Sequence, residues 1–253
     1  MTVRAFSTIT LSLLFVTSVL GSGLPKREAE PQTGLNPIRS NREQAATAAE
    51  NISPAGMGFK YKFENPRFIV SVIEIEVDSG GSGQLHFKRG EADEIIDRKL
   101  NLLPSTMSLL NDLVARSGFL ASNEEYQNKK DFSHLGWITI TVRQGARERT
   151  VRFNYTTQAQ VAEMATIFRA IADQEIDLVD MELAVQNEPL DLPRVLDALE
   201  NDLKEGRLAE PQQLVKPLRT VAQEDSLPLI ARNHAARMVA AIEKGKVKAA
   251  FGK

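Results

Sequence analysis

Residues 77–87, "VDSGGSGQLHF", decide how the rest of the chain is read. Three glycines, Gly80, Gly81 and Gly83, and two serines crowd into five positions, a composition shared by phosphate-cradling loops and tight hairpin turns. A phosphate site needs its glycines between a strand and a helix N-terminus, whose free N–H groups bind the anion. Here the glycines are flanked by alternation on both sides. Before them Ile73, Ile75 and Val77 alternate with Glu74, Glu76 and Asp78, and after them Leu85 and Phe87 alternate with Gln84, His86 and Lys88. Such period-two patterns predict two strands with one buried face each, joined by a turn that needs positive φ. Pairing Asp78 with Gln84 sets Val77 against Leu85, Glu76 against His86, Ile75 against Phe87 and Glu74 against Lys88. That register places apolar against apolar and acid against base. No Lys-Ser or Lys-Thr follows the glycines, and Ser82 lacks the flanking glycines of a nucleophile elbow.

Outward from this hairpin, "EIIDRKLNL" predicts a third strand and "PSTMSLLNDLVARSG" a helix opened by Pro104 and stopped at Gly118. "GWITITVRQGARERTVRFNY" predicts a second hairpin with Ile138, Ile140, Val142, Val151, Phe153 and Tyr155 inward and Trp137 out of step with them. Thr157 and Gln160 suggest a capping box for a helix whose stripe is Val161, Met164, Phe168 and Ile171. Hairpins with helices between and after them give an α+β class, an antiparallel sheet of about five strands with helices on one face. A small all-helical C-terminal part then follows. Its first helix starts near Pro193, carries Leu196, Leu199 and Leu203, and ends at Gly206; Ser226 is expected to cap the last helix.

The chain has 253 residues, a net charge of −2 and no cysteine. Disulfides, thiolate metal sites and cysteine nucleophiles are thereby excluded, and the lack of basic excess argues against nucleic acid. Arg4, an apolar run over residues 11–20 and small residues 21–23 form the pattern of a secretory leader. That run is about half the ~20 residues of a membrane span. The expected organisation is a signal peptide (1–23), a flexible linker (24–57), an α+β domain (58–176), a helical subdomain (177–245) and a basic, frayed tail (246–253). Export to the bacterial periplasm or exterior follows from this reading. Two glycosylation-type triplets, at Asn51 and Asn154, and the dibasic Lys26-Arg27 are short enough to arise by chance.

Sequence chemistry points to no catalytic set, cofactor or metal. The three histidines, His86, His134 and His234, lie on different segments, none at the spacing of a zinc helix. His86 reads as a cross-strand partner of Glu76, and His134 beside Asp131 as a loop residue. The basic set Arg143, Arg147, Arg149 and Arg152 surrounds the second hairpin near Trp137, a pairing that binding hot spots favour. The residues singled out for a protein partner are therefore Gly80, Gly81, Gly83, Trp137, Arg143, Arg147 and Arg149.

Taken together, "SGGSG" after a strand, "LLNDLVARSGF", "WITITVRQGARERTVRF" and "VAEMATIFRAI" resemble the emfourin-like domains over residues 71–171. Those are small bacterial proteins whose named member inhibits thermolysin-like metallopeptidases. The resemblance implies an α+β core and a secreted metallopeptidase as partner. Near the C-terminus, "LVKPLRTVAQEDSLPLIARNHAARMVAAI" resembles one unit of a HEAT-type helical repeat, short of the three or so units that a stable array needs. The reading that follows is a secreted non-catalytic protein-binding domain, with metallopeptidase inhibition as its sharpest form. The alternatives are an assembly component of the bacterial envelope and a hydrolase built on His134 and nearby carboxylates. Oligomeric state is not legible in the sequence.

Overall fold

The computed structural model describes residues 56–90 and 94–251. The expected signal peptide, nearly all of the linker and the Asn51 triplet lie outside the described residues. Six strands form one antiparallel sheet: β1 (Met57–Glu64), β2 (Val70–Val77), β3 (Ser82–Arg89), β4 (Ile95–Asn101), β5 (Trp137–Gln144) and β6 (Arg147–Phe153), in the order β4-β3-β2-β1-β5-β6. The α+β class holds, and the strand count rises by one. The added strand is β1, "MGFKYKFE", central in the sheet between β2 and β5. Its aromatic set Phe59, Tyr61 and Phe63 points into the core while Lys60 and Lys62 face outward to Glu76 and Glu74.

The glycine-rich stretch is a hairpin turn, but its register differs by two residues from the expected one. Val77 lies opposite Gly83, Ile75 opposite Leu85, Ile73 opposite Phe87, and Glu74 opposite His86. Asp78 has no strand partner because its carboxylate closes the turn, accepting the N–H groups of Gly80 at 2.8 Å and Ser82 at 3.0 Å. A two-residue slip keeps every side chain on its face, so alternation could not distinguish the two registers. Gly81 takes φ +86°, and a β-carbon there would meet the Leu102 carbonyl oxygen at 2.8 Å. At Gly83 a β-carbon would fall 2.0 Å from the Glu76 carbonyl oxygen. Both glycines are required by packing at the turn.

Helices α1 (Pro104–Ser117) and α2 (Ala159–Asn187) cover one face of the sheet. Pro104 opens α1 as expected. Its free N-terminal groups are satisfied from far along the chain: Glu210 accepts the Leu103 N–H at 2.8 Å and the Thr106 hydroxyl at 2.5 Å. α2 begins under a Gln158 side-chain cap to the Val161 N–H, at 2.8 Å, in place of the expected Thr157–Gln160 box. The cap thus sits one residue later than expected, and the Gln158 N–H in turn donates to the Thr156 hydroxyl at 3.2 Å. The buried stripe Val161, Met164, Phe168 and Ile171 packs on the sheet, with Phe168 stacked on Tyr61 at 5.2 Å between centroids.

α2 runs for 29 residues, straight through the expected boundary at 176–177. Its second half turns Leu178, Met181 and Ala184 to another core, shared with α3 (Leu192–Glu205), α4 (Val215–Gln223) and α5 (Leu229–Glu243). Here Leu196, Leu199 and Leu203 are buried as the stripe predicted, and α5 contributes small side chains, Ala231 and Ala235, that let helices approach. Pro228, not Ser226, precedes α5, because the Ser226 hydroxyl is held by Glu224 at 2.7 Å. Arg98 on the edge strand β4 grips Glu182 of α2 at 2.7 and 3.1 Å, and Arg89 of β3 donates to Asp180 at 2.6 Å. The segment expected to fray folds back: the Ala250 N–H donates to the Leu208 carbonyl at 2.8 Å, and Phe251 packs against the sheet core. No helix among the described residues is long and apolar enough to cross a membrane.

Candidate functional site

Strand direction gives the sheet two ends. The turn after Val77, the β4–α1 connection and the β5–β6 turn share one. The β1–β2 turn, the short 3-10 helix Ser133–Leu135 and the β6–α2 connection share the other, because Glu64 pairs with Trp137 and Ile138 with Phe153.

The glycine end is tied down. The Leu102 N–H donates to the Gly81 carbonyl at 2.9 Å, and Gly81 itself is buried. Gly80 alone of the three glycines is exposed. The arginines expected to act together are divided between environments. Arg149 is on the helix side of β6, where its guanidinium donates to the carbonyls of Phe119 and Glu124, each at 2.5 Å, and lies over the Tyr126 ring at 4.9 Å. It fastens the α1–β5 loop and is unavailable to a partner in this arrangement. Arg143 is exposed opposite Glu148 on the open face, and Arg147 is exposed at the start of β6. Trp137 is half-buried on that open face with the Arg152 guanidinium 4.4 Å above its ring.

The histidines separate in the same way. His86 contacts Asp97 at 2.5 Å and lies opposite Glu74; it does not face Glu76, a consequence of the register. His134 is exposed, and its neighbour Asp131 is occupied with the Ser133 N–H at 2.8 Å and the Asn154 amide at 2.6 Å. The Ser133 N–H holds the Asp131 carboxyl below its ordinary range. Asn154 itself is 4% exposed and bonded to Gln127 and Asp131, which leaves its amide without room for a glycan.

The opposite end presents what the sequence reading missed. Phe68 (41% exposed), Ile69 (84%), Ile95 (60%), Leu135 (44%) and Tyr155 (42%) all lie there, five of the nine large apolar side chains left exposed among the described residues. Tyr155, expected inward, is exposed because β6 ends at Phe153 and the chain turns away. Three of the five, Phe68, Leu135 and Tyr155, line a groove of about 570 Å³ that runs along α2 past Ala162, Thr166 and Arg169 to Gly206. Its floor is Tyr61, Phe63, Ile138 and Phe153. Within it Arg169 lies over Phe63 at 5.2 Å and bonds Asp173 at 2.9 Å, while burial pushes the Asp173 carboxyl and the Tyr61 hydroxyl upward in pKa.

The backbone that carries these side chains is fixed. Asn65, 4% exposed, accepts the Arg67 N–H at 3.0 Å and donates to the His134 carbonyl at 3.1 Å, joining the β1–β2 turn to the 3-10 helix. The Asn128 N–H donates to the Tyr155 carbonyl at 2.9 Å, and Phe132 packs on the Tyr155 ring at 4.7 Å. Lys130 stands 5.1 Å over Phe132, on the rim. The signal in the sequence was "NPRFI": a turn that places two large apolar residues where polar ones are usual. No protein-family model matches the chain, and no curated protein matches its sequence.

Proposed function

We propose that the protein is a secreted, non-catalytic protein-binding domain that engages its partner through the apolar end of the sheet. The observation that carries this reading is the cluster of Phe68, Ile69, Leu135 and Tyr155, exposed on turns whose backbone is held by buried Asn65 and Asn154. Exposed apolar surface is costly to keep on a monomer, and rigid presentation lowers the entropy lost on binding. Arg67, Lys130 and Arg152 flank the cluster, which favours a partner that surrounds an apolar segment with carboxylates. The resemblance to emfourin-like domains makes thermolysin-like metallopeptidases the first partners to try. A panel of them is incubated with a micromolar excess of the protein. Stoichiometric loss of peptidase activity, relieved in the Phe68→Ala/Leu135→Ala variant, is the expected result. Full activity across the panel removes the inhibitor form of the proposal.

A further inference from the structure

The geometry points to a divalent transition-metal site, of zinc type, formed by Asp197 and Glu200 of α3 with His234 of α5. One ligand atom from each of the three lies within 4.8 Å of the others. His234 is 5% exposed, and its Nε2 is buried without a hydrogen-bond partner. That nitrogen is aimed at Glu200 Oε2 from 3.3 Å, while Nδ1 stands 3.5 Å from Asp197 Oδ1. Both separations are long for an aligned charge-assisted hydrogen bond, which closes to about 2.7–2.9 Å. The Nε2–Oε2 separation matches instead the edge of a tetrahedral zinc polyhedron, whose ligands at about 2.0–2.1 Å from the ion stand about 3.3 Å apart. A single ion takes one imidazole nitrogen, so Asp197, whose ligand oxygen lies within 4.8 Å of the other two ligand atoms, joins it by turning its exposed carboxylate from Nδ1 toward the ion.

Positions i and i+3 on α3 put both carboxylates on one face, toward α5. A buried imidazole nitrogen with no partner is costly, and a cation between it and the carboxylates satisfies all three groups. Lys204 contacts the same Glu200 oxygen at 2.8 Å and competes for it, but its side chain is 62% exposed and free to swing into water. Asp197, the most exposed of the three, gives the ion its way in and leaves room for a water as fourth ligand. Bound there, the ion would clamp α3 to α5 across the helical core, so its binding free energy would add to folding. This site is remote in function from the apolar end and independent of the proposed binding role.

The test uses the purified protein stripped with EDTA, titrated with zinc chloride and melted at each concentration. A melting temperature that climbs with zinc is expected, together with intense visible absorption when cobalt(II) replaces zinc, as tetrahedral sites give. Glu200→Gln and His234→Gln should each weaken binding by at least about tenfold and abolish the cobalt bands. Asp197→Asn, a change at an exposed position, keeps the test valid should the buried histidine variant fail to fold. An unchanged melting temperature up to about 100 µM zinc, or a shift and cobalt spectrum that persist in Glu200→Gln and Asp197→Asn, would overturn the assignment.

Discussion

The two ends of the sheet are built to opposite ends. At the glycine turn every unusual feature is explained by contacts inside the molecule: Asp78 closes the turn, Gly83 lets β2 approach, and Gly81 docks on the β4–α1 connection. At the other end hydrogen bonds hold the backbone just as firmly, yet Phe68, Ile69, Leu135 and Tyr155 are left outside the core. Order without burial is the contrast on which the proposed recognition surface rests. Glycines advertise backbone geometry, while exposed apolar side chains on a fixed backbone advertise a partner.

The strongest way to break this contrast is Gly83→Val. Its β-carbon would meet the Glu76 carbonyl oxygen and the Val77 backbone, with contacts of 2.0 and 2.8 Å, so a loss of about 3 kcal/mol or more is expected in urea denaturation. Gly80→Ala, by contrast, meets only the Asp78 carboxylate, at 3.3 Å, a contact relieved by a shift of a few tenths of an ångström, and should change stability by about 0.5 kcal/mol or less. Equal effects of the two would undo the claim that the turn is a packing element.

Next in size is Glu210→Ala. It strips the N-terminus of α1 of its only side-chain cap and leaves the Leu103 N–H and buried Thr106 hydroxyl without their acceptor, at a cost of about 2–3 kcal/mol. Because the Glu210 backbone N–H also donates to the Gln174 side-chain oxygen of α2, at 2.8 Å, the two cores should melt together in the wild type by calorimetry. Phe68→Ala/Leu135→Ala should alter stability by no more than about 1 kcal/mol and weaken partner binding by at least about tenfold, a split that titration calorimetry reads directly.

A pH-dependent effect is expected away from both ends. Burial, with the Asp202 carboxylate beside it, pushes Asp177 from 3.8 up to about 8. A carboxyl whose pKa is raised by folding favours the native state fully below 3.8 and loses that contribution as pH climbs through about 8. Asp177→Asn should therefore gain on the wild type as pH rises from 3.8 to about 8 and level off above it, a trend that thermal melts across that range read directly. A difference that shrinks with rising pH would contradict the sign.

Much of this fold is legible in the chain because its rules are local. Alternation located β2, β3, β5 and β6, leucine spacing located α3, and Gly118 and Gly206 marked helix ends. β1 was equally legible in "FKYKFE", but its inward residues are aromatic rather than β-branched and an Asn-Pro turn cuts it from β2, so it escaped the strand count. What stays hidden depends on distance. Nothing near Leu103 announces that Glu210, 107 residues on, will cap α1, and nothing near Asp197 announces His234. The exposure of Tyr155 depends on where β6 stops, which periodicity does not specify. Arg149 illustrates the same limit, since a charged residue on a strand reads as solvated until the loop that folds over it is known.

The contrast between the two ends is tested most directly by site-specific photo-crosslinking in the host's cellular and culture fractions, with a benzophenone side chain at Leu135 in one preparation and at Ser79 in another. The account predicts a discrete protein adduct from position 135, lost when Phe68 is also changed to alanine, and none from position 79. Adducts from position 79 alone, or none from either, would contradict it.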